Sequence, residues 1–156
     1  MSTETYLLSR RSRFKNHFPS SMQECIGDES DGVSAKQLCF IAFLPDILDS
    51  KASGRNGYIK TLKKLADQYK DRPFSWLWVS AGQQAALEAN VGVGGFGYPA
   101  LVAFKPKDHK FATAKGAFDL KQIGDFIEKL RKGGESVSSM QGSLASIVTI
   151  PPWVRI

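Results

Sequence analysis

Seven apolar residues stand in a row, Leu38-Cys39-Phe40-Ile41-Ala42-Phe43-Leu44, and the run stops at Pro45. A strand with one wet face alternates apolar and polar residues, so an unbroken run belongs to a strand covered on both faces. Such strands sit in sheets with a helix layer on each side. The run is far shorter than the roughly 20 residues that cross a membrane as a helix. A length of 156 residues fits one domain. At 42% hydrophobic and 23% charged, the composition is that of a folded globular chain, not a disordered one.

Around this strand the pattern predicts alternating elements. Tyr6-Leu7-Leu8 reads as a short first strand, and Ser21 with Glu24 has capping-box spacing for a short helix to Ile26. Residues 27–34 read as a loop. Tyr58, Leu62, Leu65 and Tyr69 recur at helical spacing in a helix that begins near Gly54 and is stopped by Asp71-Arg72-Pro73. Phe74 to Val79 is aromatic and β-branched, hence strand. Gln83 to Asn90 reads as a short helix. Ala100 to Phe104 and Phe111 to Ala114, joined by Lys105-Pro106-Lys107-Asp108, read as a hairpin. Asp119 caps a last helix with Leu120, Ile123, Ile127 and Leu130 on its buried face. The order is β-α-β-α-β-α-β-β-α, an α/β architecture with parallel strands joined through helices and a closing antiparallel hairpin. Residues 1–19 form an N-terminal extension that can include the first strand, residues 20–132 the domain, and residues 133–156 a Gly/Ser-rich tail or linker.

The net charge of +6 comes without a dense cationic stripe, and Arg10-Arg11-Ser12-Arg13-Phe14-Lys15 is the one cluster that could meet phosphates. The reading is therefore no nucleic acid and no membrane, with an anion-binding role for that cluster as a third option. Gly92-x-Gly94-x-x-Gly97 satisfies a dinucleotide fingerprint by letter, yet it follows a helix and leads into Tyr98-Pro99 and a strand, the reverse of the context a phosphate loop needs. His17 and His109 have no partners at metal-ligand spacing, so no metal and no cofactor are expected. Trp76 and Trp78 alternate with Phe74 as packing residues. Met1–Thr5 carries no positive region of a signal peptide, and Trp153-Val154-Arg155-Ile156 matches no retention signal.

Four stretches carry a resemblance: Leu44-Pro45-Asp46-Ile47-Leu48-Asp49-Ser50-Lys51, Gly54-Arg55-Asn56 with Tyr58, Trp76-Leu77-Trp78, and Gly92-Val93-Gly94-Gly95-Phe96-Gly97-Tyr98-Pro99-Ala100. Together they resemble the non-catalytic thioredoxin-like domain of those protein disulfide isomerases that carry two catalytic domains in tandem followed by this one. The likeness covers roughly residues 22–132. It implies a thioredoxin-like fold with a mixed central sheet and helices on both faces. It further implies the endoplasmic reticulum lumen, a part in oxidative protein folding, and unfolded polypeptide or other folding factors as partners.

Thioredoxin chemistry needs Cys-x-x-Cys at the junction of a buried strand and the next helix, where the thiolate nucleophile forms. The corresponding junction here, Phe43-Leu44-Pro45-Asp46-Ile47-Leu48, has no cysteine. No catalytic residue is therefore assigned. Cys25 and Cys39 admit two readings that the sequence leaves open: buried small hydrophobes, or a structural disulfide. A different class of function, a thiol–disulfide oxidoreductase using Cys25 and Cys39 as a non-standard pair, stands as the alternative. By the resemblance, Tyr98-Pro99 occupies the cis-proline position facing the junction. Phe43, Leu44, Pro45, Tyr98 and Pro99 are then the candidate peptide-binding residues, by strand addition to free backbone groups.

Overall fold

The computed structural model describes residues 14–15, 18–27, 32, 34–93 and 97–140. Among the described residues ten elements follow in order: β1 (Phe14–Lys15), α1 (Phe18–Ile26), β2 (Leu38–Leu44), α2 (Ile47–Gln68), β3 (Phe74–Ser80), α3 (Ala85–Asn90), β4 (Ala100–Lys105), β5 (Lys110–Thr113), α4 (Leu120–Arg131) and β6 (Ser138–Ser139). One sheet runs β1-β3-β2-β4-β5-β6. β1 and β2 flank β3 in parallel, while β4, β5 and β6 add on antiparallel from β2 outwards.

β2 lies at the centre, and its seven residues are all buried. Because side chains alternate across a sheet, the run divides between two cores. Leu38, Phe40, Ala42 and Leu44 pack on one face with Leu62, Leu65 and Ala66 of α2 and Ile123, Phe126, Ile127 and Leu130 of α4. Cys39, Ile41 and Phe43 pack on the other with Met22 and Cys25 of α1 and Leu87 of α3. The continuous apolar run thus has the cause expected of it: helices cover both faces. In the first core Phe40 stacks on its parallel-strand neighbour Trp76, with ring centroids 4.2 Å apart. Each fully buried side chain of this size contributes roughly 1.5–3 kcal/mol of hydrophobic stabilisation.

The structure amends several boundaries. α1 begins at Phe18, ahead of Ser21. α2 begins at Ile47 and not at Gly54, because Asp46 caps it: its carboxylate accepts from the Leu48 N–H at 2.8 Å. Leu120 is 39% exposed at the first turn of α4, and Phe126 takes the fourth buried place. The segment read as tail supplies β6, whose Ser138 and Ser139 pair with Phe111 and Lys110, and places Met140 in the second core. The first strand read at Tyr6–Leu8, the side chains of the Arg10–Lys15 cluster, His17, and Gly94 to Phe96 of the glycine-rich loop lie outside the described residues.

Candidate functional site

The C-terminal end of β2 is where a thioredoxin-type site would sit, and the chain builds it from three loops. In the first, Leu44 leads through Pro45 into α2. The Asp46 carbonyl accepts from the N–H groups of Asp49 and Ser50, at 2.9 and 3.1 Å, while its side chain takes that of Leu48. Lys51 then departs from the helix, at φ 62 and ψ 171, and its ammonium donates to the Leu48 carbonyl at 3.2 Å. The axis of α2 is broken there, and the turn at residues 47–50 is a separate step.

Arg55, one turn into the main part of α2, is 4% exposed. Its Nη2 donates to the Pro45 carbonyl at 2.6 Å and to Ser80 Oγ at 3.2 Å. The guanidinium carbon lies 4.9 Å from the ring centroid of Trp78, within cation–π range. Burial pulls the Arg55 pKa down and Asp46 nearby pulls it up, and arginine stays charged in either case. Nε is buried without a partner among the described residues. The cation therefore ties the β2–α2 junction to the end of β3, where Ala81 N–H also donates to the Leu44 carbonyl at 2.8 Å.

The second and third loops meet through an acid. Glu88 of α3 is 5% exposed. One of its carboxylate oxygens accepts from the Gly82 N–H at 2.8 Å, and the other accepts from the Tyr98 hydroxyl. Gly82 has φ +83, a left-handed conformation open to glycine at little cost. The hydrogen bond to Glu88, with burial adding to it, pushes the Tyr98 pKa up to about 12. The Tyr98–Pro99 peptide bond is cis. Among the described residues no turn or loop backbone hydrogen bond engages Tyr98 or Pro99. The β2–β4 register ends with Phe43 opposite Ala100, so Leu44 and Pro99 are the next residues along the two strands.

The five residues proposed from sequence for peptide contact do not all reach the surface. Phe43 and Leu44 are 0% exposed, locked in opposite cores by strand alternation, so their side chains offer a peptide nothing. Pro45 and Pro99 are half-buried, and Tyr98 is 36% exposed. Leu48, which the sequence reading did not select, is 77% exposed on the same junction. The accessible apolar surface is thus Pro45, Leu48, Tyr98 and Pro99, fixed from below by Arg55 and Glu88. Glu88 carries no sequence signal and reads as one more good helix former; Arg55 lies within the Gly54-Arg55-Asn56 stretch of the resemblance, but nothing in the sequence marks it as buried.

Cys25 and Cys39 are joined by a disulfide, with their Cα atoms 6.0 Å apart, within the ordinary span of such a bridge. Both are 0% exposed. Cys25 stands near the C-terminus of α1 and Cys39 inside β2, on the opposite side of the sheet from Arg55's helix. The pair is not a Cys-x-x-Cys. Among the described residues no group of three or more His, Cys, Asp or Glu side chains is placed to hold a metal.

Comparison with known proteins gives consistent likenesses. The family described as PDIA6-like, C-terminal thioredoxin-like domain matches residues 23–135. Protein disulfide-isomerase A6 of Homo sapiens is 46% identical over 118 residues, 75% of this chain and 27% of that protein. Protein disulfide-isomerase like 2-2 of Arabidopsis thaliana is 41% identical over 136 residues, 86% of this chain and 30% of that protein. The chain therefore spans less than a third of the length of these relatives. Among solved structures, the bb fragment of ERp72 superposes with a TM-score of 0.55 at 11% identity, over 80% of this chain and 51% of that one. Full-length ERdj5 gives 0.52 at 17% identity, over 80% and 16%. At such identities the structural likeness speaks for the fold, a thioredoxin-like α/β sheet.

Proposed function

The chain belongs to the family of PDIA6-like C-terminal thioredoxin-like domains, and from that premise we propose that it is a redox-inactive module of oxidative protein folding. In this reading it acts as a spacer that also holds an unfolded polypeptide or a folding partner weakly. The observation that carries the reading is the junction at Phe43–Leu48: it has no cysteine, and an apolar patch of Pro45, Leu48, Tyr98 and Pro99 remains beside it. A partly exposed apolar patch at Tyr98–Pro99, where among the described residues no turn or loop backbone hydrogen bond is made, suits an extended segment of low sequence specificity. The compartment that goes with this is the endoplasmic reticulum lumen, where a structural disulfide persists. Among the described residues no helix is long and apolar enough to cross a membrane.

The test is fluorescence anisotropy with fluorescein-labelled, reduced and carboxymethylated α-lactalbumin, paired with an insulin-reduction assay on the same preparation. Weak binding that falls several-fold on Leu48→Asp, with no insulin turnover, supports the module. Turnover that Cys39→Ser abolishes supports the oxidoreductase alternative and removes this one.

A further inference from the structure

Glu88 is the one buried carboxylate among the described residues, and no basic side chain there forms an ion pair with it. A charge placed in this way is costly to desolvate unless hydrogen bonds replace its water. It has two such bonds, and the donors come from the two loops on either side of the candidate site: the Gly82 N–H and the Tyr98 hydroxyl. Hydrogen bonds to an ionised acceptor are roughly twice as strong as neutral ones. The Tyr98 hydroxyl is therefore directed inward, towards α3. Its ring is left partly exposed beside Pro99, and among the described residues no turn or loop backbone hydrogen bond engages Tyr98 or Pro99.

We propose that Glu88 is a positioning residue for polypeptide capture: by holding the Tyr98 hydroxyl, it sets the ring as a fixed apolar wall of the patch. This rests on the capture reading above and adds its selectivity. With its hydroxyl proton committed to Glu88, Tyr98 cannot donate to a bound segment and presents mainly ring surface, so aromatic or aliphatic side chains suit it. Neither residue touches the polypeptide through a charge. The wall is lost when either end of the bond is removed, even though the ring itself survives in Tyr98→Phe.

The experiment uses the full chain and fluorescein-labelled, reduced and carboxymethylated α-lactalbumin. Affinity is measured for the wild type, Tyr98→Phe, Glu88→Gln, Glu88→Ala and the Tyr98→Phe/Glu88→Ala double variant, with far-ultraviolet circular dichroism as the check on folding. Tyr98→Phe is expected to weaken binding about 5-fold, Glu88→Ala at least as much because it also releases the Gly82 N–H, and the double variant no more than Glu88→Ala, because both cut the Glu88–Tyr98 bond. Glu88→Gln keeps most of the affinity, since an amide can still bond to the phenol. Ultraviolet titration supplies a readout that general loosening does not move: the late-ionising tyrosine returns towards its ordinary range in Glu88→Ala. Binding within 2-fold of wild type in both Tyr98→Phe and Glu88→Ala overturns the proposal, as do losses that multiply in the double variant. If Glu88→Ala fails to fold, Tyr98→Phe decides alone. A wild-type chain that binds nothing overturns the capture reading itself, and this inference with it.

Discussion

Arg55 reaches back to the carbonyl of Pro45, at 2.6 Å, from ten residues further along the chain. A buried cation thus closes the loop between the central strand and its helix. With the Trp78 ring on one side and Ser80 Oγ as a second acceptor, the guanidinium fills space that no shorter side chain can.

Arg55→Ala is therefore expected to cost about 2–3 kcal/mol, from lost charge-assisted hydrogen bonds and the void left beside Trp78. Arg55→Lys should recover only part, since an ammonium cannot lie flat on the ring while reaching both acceptors. Urea unfolding followed by tryptophan fluorescence measures this. A loss below about 0.5 kcal/mol for Arg55→Ala would show that the junction is held by other contacts.

The Cys25–Cys39 bridge closes a loop with a sequence separation of 14. On the chain-entropy account a loop of this size contributes roughly 3 kcal/mol through the unfolded state. The denatured, unreduced chain should titrate no thiols, and the reduced chain two. A Cys25→Ala/Cys39→Ala variant should unfold at clearly lower urea. Two reactive thiols in the unreduced denatured chain would contradict the bridge.

Tyr98 makes alkaline stability depend on Glu88. In the unfolded chain the phenol ionises near its ordinary value of about 10, and in the folded chain it is pushed up to about 12. Its contribution is complete below the unfolded value. As the pH rises towards 12 the unfolded chain gives up a proton that the folded chain keeps, so stability falls across this window. Absorbance at alkaline pH should show a late-ionising tyrosine that vanishes in Tyr98→Phe. If the titration of Tyr98→Phe matches that of the wild type, Tyr98 is not the late-ionising tyrosine; Tyr69, which burial and Glu128 also push up, stays late in both.

The fold was legible where burial leaves a pattern. The run at Leu38–Leu44 announces a strand covered twice, and the spacing of Leu62, Leu65 and Tyr69 announces the helix that covers it. The absence of a dithiol at Phe43–Leu48 was legible by inspection. What escaped was what depends on tertiary neighbours. Ser138–Ser139 has no apolar alternation and is a strand only because β5 offers an edge to pair with. Phe43 and Leu44 are peptide-binding candidates through the resemblance at the junction, but the same run that defines the strand also buries its last two side chains. Arg55 and Glu88 looked solvated because charged residues on helices usually are. Only the meeting of three loops shows that they face inward. The capping of α2 by Asp46 does have a signal in the sequence, an acidic residue just before Ile47-Leu48, but the apolar helical spacing becomes regular only after Gly54.

Lys51, at φ 62, has an electrostatic consequence for the end of α2. A helix activates a thiol at its N-terminus because aligned peptide dipoles add and its first N–H groups point at the sulfur. Here the alignment is broken after one turn. The N–H groups of Leu48, Asp49 and Ser50 are already spent on Asp46, whose carboxylate puts negative charge at that spot. A thiol introduced by Leu48→Cys would meet an anion in place of an electropositive end, and its pKa should be no lower than the free value of about 8.5, as measured by pH-dependent alkylation. On the proposed reading, the backbone field at this junction disfavours thiolate chemistry as much as the missing cysteines do: placing two cysteines there would supply the atoms of an oxidoreductase without the charge environment that makes them react.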